Sequence, residues 1–259
     1  IGVVMDNAVV RDAWQRHQLP EPQLLKIPNA NGQELEAMLM VAPSANSPQP
    51  LIVMHYSGPQ SQRVLNRWRK RFEYVLVEAG YAVLIVDTRG GDCRGRAWRN
   101  ETYMNLGIKE AEDLIAAAQW AAEQPYIDAE HMAIMGWSYG GYETLMCLSK
   151  QPELVWKCGI AIAPVTSWRL YDSAYTERYM RRPQVNGAGY EKADVMNLAK
   201  DLTGNLLLVH GLADDNVHVQ HSWLYVDALV QAGKQFEMQM YVDDNHSIRK
   251  PANKEHLHK

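Results

Sequence analysis

Five short apolar runs constrain the fold of this chain more than any other feature of its sequence. They lie at 51–55, 82–87, 132–136, 158–163 and 205–210. Each run is apolar throughout, which is typical of parallel strands that are buried on both faces. Helical patterns follow four of them, at about 61–79, 108–123, 140–150 and 218–232. This order predicts an α/β fold with a mostly parallel central sheet and helices on both faces.

The segments at the two ends of the chain complete this sheet. A helix is expected at 6–17, two strands at 23–28 and 34–42 around the Asn31-Gly32 turn, and a last strand at 235–242. The Pro- and Ser-rich stretch 43–50 is expected to be an exposed loop. A length of 259 residues suits one α/β domain, so we expect residues 1–259 to form a single domain in which 1–50 supply the entry helix and first strands.

Charge and cysteine content exclude several classes of function. The formal net charge is -4, which argues against binding to nucleic acid or to an anionic membrane surface. Apolar runs such as 81–86 are too short to cross a bilayer, so no membrane insertion by this segment is expected. The three cysteines form no CxxC pair. His218 and His221 lie three residues apart on a predicted helix, where they are expected to be solvated or to cap the helix rather than to bind zinc. We therefore expect no metal and no cofactor.

The third apolar run leads directly into a turn that contains a serine between glycines. Its residues are followed by Trp137-Ser138-Tyr139-Gly140-Gly141 and then by a helical pattern. The motif G-x-S-x-G between a strand and a helix is typical of a nucleophile elbow, which presents a serine hydroxyl at the top of an α/β sheet. The sequence therefore predicts Ser138 as a catalytic nucleophile.

A serine nucleophile requires a base and an acid, which in this fold follow it in the order acid, then histidine. His246 follows the last predicted strand and a short acidic loop, which is the position expected for the base. His210 ends a strand and is expected to be structural. Asp214 and Asp215 both lie in the loop where the acid belongs, and their spacing does not choose between them.

Two hydrogen-bond donors are needed for the oxyanion that forms during acyl transfer. One is normally the backbone N–H that follows the nucleophile, here that of Tyr139. The loop 55–59, which would supply the second donor, lacks the usual run of glycines. The phenol of Tyr56 is a candidate donor in its place.

Six motifs together resemble the catalytic domain of bacterial dipeptidyl peptidase IV-like enzymes of the prolyl oligopeptidase superfamily, which have an α/β-hydrolase fold. They are YSGPQSQ (56–62), GWSYGGY (136–142), KCGIAIAPV (157–165), YDSAYTERYM (171–180), HGLADDNVH (210–218) and DDNHSI (243–248).

This resemblance implies a role for each candidate residue. Asp214 becomes the acid and His246 the base, and Tyr56 joins the Tyr139 amide in the oxyanion hole. Asn216 would bind a substrate carbonyl. A small aromatic pocket for proline would be lined by Val165, Trp168, Tyr171, Tyr175 and Val217, beside Tyr139. Without the resemblance, the aromatic residues at 168–179 would indicate an ordinary amphipathic helix.

The same resemblance also implies parts that this sequence does not supply. Relatives hold the substrate's amino group with glutamates on an N-terminal β-propeller, and no glutamate here can be given that role. Relatives form homodimers that involve the last helix, and the resemblance suggests a periplasmic or extracytoplasmic location. Cys158 matches a cysteine that pairs near the C-terminus in mammalian relatives, and that partner is not in this sequence.

The function expected from these residues is a serine peptidase that acts on peptide substrates. It would release N-terminal dipeptides with Pro or Ala at the second position through an acyl-enzyme on Ser138. One alternative is an acylaminoacyl-peptidase or esterase that uses the same triad. Another is an isolated catalytic fragment with little activity.

Overall fold

A computed structural model describes residues 6–17, 19–42, 47–67, 72–151 and 155–259. Its strands form one sheet in the order β1-β2-β4-β3-β5-β6-β7-β8. The strands are β1 (Gln23–Pro28), β2 (Glu34–Met40), β3 (Gln49–His55), β4 (Ala82–Asp87), β5 (Ile127–Trp137), β6 (Cys158–Ile162), β7 (Asn205–Gly211) and β8 (Glu237–Tyr241).

The sheet is antiparallel at one edge and parallel through the rest of its width. Strands β1 and β2 form a hairpin, and β2 pairs with β4 in the antiparallel sense. From β4 across to β8 every neighbouring pair is parallel. The predicted turn contains Gly32, whose φ of +74° is a conformation that glycine adopts without strain.

Helices connect the parallel strands, as parallel pairing requires. The α-helices are α1 (Ala8–Arg16), α2 (Glu73–Glu78), α3 (Gly95–Arg99), α4 (Lys109–Ala122), α5 (Tyr139–Lys150), α6 (Ser173–Met180), α7 (Gly187–Lys192), α8 (Gln220–Gln231) and α9 (Pro251–Leu257). Two short 3-10 segments lie at Asn100–Thr102 and Val195–Asp201.

Alternate side chains of β4 enter two separate cores, one on each face of the sheet. Leu84 and Val86 join a large core with α4, α5 and α8. Val83 and Ile85 join a smaller core with residues of β2 and α2. Because all four side chains are fully buried, the strand needs the apolar run that the sequence shows. The predicted fold class, a mostly parallel sheet between helices, is confirmed.

The smaller core is rich in methionine. Three of the eight buried residues that the structure describes in it are Met38, Met40 and Met54, and half-buried Met135 packs against it. Trp14 of α1 also packs there and meets the ring of Tyr74 edge-on, with 4.5 Å between the ring centroids. The entry helix therefore closes this face of the sheet.

The helix predicted at 61–79 is largely wrong. Residues 61–65 have no regular structure, 68–71 lie outside the described residues, and only α2 is helical. The carboxylate of Asp87 explains the difference, because it accepts the backbone N–H groups of Arg63 at 2.7 Å and Val64 at 3.0 Å. Those bonds to the end of β4 hold the segment in an extended course.

The exposed loop predicted at 43–50 is also too long. Gln49 and Pro50 belong to β3, whereas 43–46 lie outside the described residues. The buried amide of Gln49 donates to the carbonyl of Ala42 at 3.3 Å and accepts its N–H at 3.2 Å. A polar side chain that replaces backbone pairing in this way is not visible from composition.

A buried ion pair joins the end of β4 to helix α4. Arg89 lies 2.8 Å from Asp113 Oδ1, and both side chains are almost fully buried. The Asp113 carboxylate also accepts the backbone N–H of Arg89 at 2.8 Å and the amide of Asn29 at 3.0 Å. The β1–β2 turn, the loop after β4 and α4 are thus tied to one carboxylate.

We expect Arg89→Met to lower the free energy of unfolding by about 3–5 kcal/mol, because it leaves a buried carboxylate without its cation. The matched control is Arg11→Met, which breaks the exposed Arg11–Asp6 pair at 2.6 Å. That change should cost about 0–1 kcal/mol. Urea denaturation measures both, and equal losses would contradict the structural role given to Arg89.

Candidate active site

The turn between β5 and α5 holds Ser138 in a strained conformation. Its φ of 61° and ψ of -118° are rarely adopted by a residue with a side chain. The backbone N–H of Ser138 donates to the carbonyl of Ile162 on β6 at 2.8 Å, which fixes the turn to the neighbouring strand. Ser138 is half-buried and lies at the carboxyl end of the parallel strands.

Close packing of the strand against the helix enforces this turn. A Cβ atom added to Gly136 would lie 2.2 Å from the carbonyl oxygen of Gly140, and one added to Gly140 would lie 2.9 Å from the carbonyl oxygen of His55. No side chain fits at either distance. The two glycines of the motif are therefore required because backbone meets backbone there.

A carboxylate and an imidazole from two further loops form a short hydrogen bond. Asp214 follows β7 and His246 follows β8, and Nδ1 of His246 lies 2.7 Å from Oδ2 of Asp214. Asp214 is buried, whereas the neighbouring Asp215 is exposed. The indole N–H of Trp137 donates to the backbone carbonyl of His246 at 2.8 Å, which ties the histidine loop to the serine turn.

The Asp214 carboxyl is ionised in this environment. Burial raises its pKa, but hydrogen bonds from His210 and His246 lower it by more, so the pKa lies below its ordinary value. Because Nδ1 of His246 donates to this carboxylate, the neutral imidazole carries its lone pair on Nε2. That is the tautomer which a general base requires.

Two candidate oxyanion donors lie beside the serine. Tyr56 lies in the loop after β3, and its ring centroid is 6.1 Å from that of Tyr139, the residue after Ser138. Burial raises the pKa of the Tyr56 phenol above its ordinary value of 10.0, so the phenol keeps its proton in neutral solution. Tyr139 begins α5, and the first N–H groups of a helix have no acceptor within it.

Aromatic rings form a continuous wall next to these groups. The ring of Trp168 stacks on Tyr175 and meets Tyr171 edge-on, with 6.0 Å between centroids in each pair. The Tyr171 hydroxyl donates to Oδ1 of Asn216 at 2.7 Å. Val165 and Val217 are buried nearby in the large core. Trp168 and Tyr171 precede α6, so the wall is not one amphipathic helix.

Glu110 is a functional candidate that the sequence reasoning missed. It is fully buried and accepts the hydroxyl of Tyr139 at 2.8 Å and the N–H of Gly107 at 3.1 Å. Burial raises the pKa of Glu110 to about 8. A sequence signal could have found it. Glu110 and Asp113 lie three residues apart in a predicted helix, so both carboxylates fall on the face that also carries its apolar residues.

The described residues contain neither of two other kinds of site, a metal centre or a membrane-spanning helix. No group of three or more His, Cys, Asp or Glu in those ranges is arranged to hold a metal ion. None of the described helices combines the length and the apolar character that a membrane span needs.

The chain belongs to the prolyl oligopeptidase family, whose sequence model matches residues 68–259. It is 42% identical over 251 residues to a probable dipeptidyl-aminopeptidase B of Fusarium vanettenii, which covers 95% of this chain and 28% of that protein. A probable dipeptidyl-aminopeptidase B of Pyrenophora teres is 45% identical over 204 residues, or 77% of this chain and 22% of the relative. The family resemblance drawn from the motifs is confirmed.

Two solved structures share the fold closely. The crystal structure of Porphyromonas gingivalis dipeptidyl peptidase 4 has a TM-score of 0.94 and 43% identity, and the match covers 98% of this chain and 36% of that one. A putative dipeptidyl aminopeptidase IV from Bacteroides ovatus has a TM-score of 0.88 and 32% identity, with 93% and 35% covered. The chain thus spans about a quarter to a third of the length of these relatives.

We expect Gly136→Ala to lower the free energy of unfolding by at least about 1–3 kcal/mol, because the new methyl group collides with the backbone of Gly140. The same change should reduce covalent labelling of Ser138 by a fluorophosphonate. Gly187→Ala is the matched control, since a Cβ there meets nothing within 4 Å. Thermal unfolding and labelling measure both, and a Gly136→Ala protein that behaves like the control would contradict the packing argument.

Proposed function

We propose that this chain is the catalytic domain of a serine peptidase that releases N-terminal dipeptides with Pro or Ala at the second position. One observation carries the proposal. A serine held at a strained strand-to-helix turn shares the carboxyl edge of the sheet with an Asp214–His246 pair at 2.7 Å. Ser138, Asp214 and His246 also follow the α/β-hydrolase chain order of nucleophile, acid and base.

In the proposed reaction, the Ser138 hydroxyl oxygen attacks the carbonyl carbon of the peptide bond while Nε2 of His246 takes its proton. Ionised Asp214 stabilises the imidazolium that results. The C–N bond then breaks, and His246 returns the proton to the departing amine. Water, activated by the same histidine, hydrolyses the ester on Ser138 and restores the free hydroxyl.

Two hydrogen-bond donors are assigned to stabilise the negative charge that develops on the carbonyl oxygen. The phenol of Tyr56 lies in the loop after β3, at the same edge of the sheet as Ser138, and its ring centroid is 6.1 Å from that of Tyr139, which supports this role. The N–H of Tyr139 adds the positive end of helix α5. Preorganised donors of this kind favour the transition state over the substrate.

The preference for proline or alanine rests on the aromatic wall. Rigid rings that are packed edge-on and stacked leave room for a flat or small side chain and exclude a long flexible one. Asn216, held by the Tyr171 hydroxyl, is assigned to a carbonyl of the substrate. The dipeptide length of the product is supported by the resemblance and by the names of the relatives.

Hydrolysis of glycyl-prolyl p-nitroanilide by the full-length protein tests these roles. We expect no turnover in Ser138→Ala. Asp214→Asn should lower kcat by about 10⁴-fold, because the imidazole loses its orienting carboxylate. Tyr56→Phe should lower kcat by about 10²–10³-fold. Asp215→Asn is the matched control and should retain activity, since this carboxylate is exposed.

Two results would contradict the proposal. Turnover that survives Ser138→Ala would remove the nucleophile, and a preference for the N-acetylated substrate over the free one would favour an acylaminoacyl-peptidase. A protein that reacts with a fluorophosphonate but hydrolyses neither substrate would fit the third possibility, a catalytic fragment with little activity.

We also propose that the full-length protein is a homodimer. Large apolar side chains are exposed on α8 and on β8, the edge strand of the sheet: Trp223, Leu224 and Met238. Burial of such side chains favours association. We expect light scattering to give twice the protomer mass and Trp223→Glu to give a monomer, whereas Val185→Glu, on an exposed apolar residue between α6 and α7, should leave the dimer intact. A dimer that survives Trp223→Glu would show that this surface is not the interface.

A further inference from the structure

His210 contacts the same carboxylate oxygen as the proposed catalytic base. It lies near the end of β7, and its side chain is fully buried. Its Nε2 is 3.2 Å from Oδ2 of Asp214 and 2.8 Å from the carbonyl oxygen of Val217. Its Nδ1 is 2.7 Å from the hydroxyl of Ser222 on α8. The structural role expected from the sequence does not account for the contact with Asp214.

The neighbours of this imidazole determine where its proton lies. Nε2 faces two acceptors, a carboxylate and a carbonyl, so it must carry a hydrogen and donate. In the neutral ring, Nδ1 then accepts the hydroxyl of Ser222. The network therefore specifies one orientation and one tautomer of His210, with the Nε2–H shared between the Val217 carbonyl oxygen at 2.8 Å and Asp214 Oδ2 at 3.2 Å.

With this bond, the Asp214 carboxylate has four hydrogen-bond donors. Oδ1 accepts the backbone N–H groups of Asn216 at 2.9 Å and Val217 at 3.0 Å. Oδ2 accepts from His246 at 2.7 Å and His210 at 3.2 Å. Two oxygens offer about four lone pairs, so the carboxylate is saturated and cannot rotate without breaking bonds.

We propose that His210 is a positioning residue, which holds Oδ2 of Asp214 on His246 and limits the basicity of that oxygen. The inference deepens the proposed function and rests on it. A second donor on Oδ2 withdraws charge from the bond to His246, so the imidazolium of His246 is stabilised less than a lone Asp–His pair would allow. A base with a lower pKa is in its reactive, neutral form over a wider range of pH.

Other titratable groups lie around this cluster, and the test must separate their effects from the effect of His210. His221, expected from the sequence to be solvated or capping, is instead buried on α8 and accepts the backbone N–H of Thr166 at 3.0 Å. His218 lies just before α8, and Tyr171 interacts electrostatically with Asp214 from the aromatic wall. Burial and the neighbouring His210 lower the pKa of His221 to about 4, so His221 stays neutral through the physiological range. His218 is exposed and serves as the control.

The test is the rate of fluorophosphonate labelling of Ser138 between pH 5 and 9 in the full-length protein. His210→Leu removes the donor, and we expect the acid limb of the profile to move up by about one pH unit. The plateau rate should fall about tenfold, because the carboxylate is then free to turn. His210→Gln, which keeps an N–H at the end of a side chain of similar reach, should restore both. His218→Gln should match the unmodified protein.

The outcomes separate this inference from the proposed function. No labelling of the unmodified protein, or equal labelling of Ser138→Ala, would overturn the function itself. Normal labelling of the parent with an unchanged profile in a folded His210→Leu protein would overturn only the role of His210.

If His210→Leu does not fold, ¹⁵N spectra of the histidine-labelled parent decide the question. The His210 resonances are assigned from those that disappear in His210→Gln. A proton on Nε2 supports the inference, and a bare Nε2 with a proton on Nδ1 overturns it.

Discussion

The contact between the backbones of Gly136 and Gly140 is the constraint on which the site depends. It brings the start of α5 onto the end of β5 and leaves Ser138 no conformation other than the strained one observed. Buried packing of α5 in the large core holds the contact closed, since ten of its twelve residues are buried. Strain of this kind persists only where the surroundings enforce it. The orientation of Ser138, the proposed nucleophile, is thus a property of the core rather than of the turn alone.

The site is assembled by the common direction of the parallel strands. Tyr56 follows β3, Ser138 follows β5, Asp214 follows β7 and His246 follows β8, so each side chain reaches the same edge. Residues far apart in sequence need no long loops to meet there. The antiparallel β1–β2 hairpin lies at the opposite side of the sheet from β7 and β8. Asp113 joins the hairpin turn to α4, and Glu110 of the same helix accepts the hydroxyl of Tyr139.

The sequence was informative where the type of a residue is dictated by the strand, turn or loop in which it lies. Buried parallel strands, the Gly-Ser-Gly turn and the loop position of His246 each have a local cause, and the structure has all three. The extended course of 61–67 was not predictable, because it depends on a carboxylate about 23 residues away, Asp87. The choice of Asp214 over Asp215 needed the family resemblance, since only the fold makes one buried and the other exposed. Glu110 was missed because its partner Tyr139 lies 29 residues away, and the role of His210 was missed because only the fold brings its imidazole onto the carboxylate of Asp214.

The two faces of the sheet differ in how easily their side chains can rearrange. Among the described residues, the large core that includes Trp168 of the aromatic wall is filled mainly by rings, branched side chains and alanine, and three of its forty buried residues are methionine. The opposite face contains Met38, Met40 and Met54, whose unbranched thioethers adopt many shapes at little cost. This methionine-rich layer can therefore adapt to mutations and to thermal motion on its own face of the sheet while the geometry around Ser138 is retained.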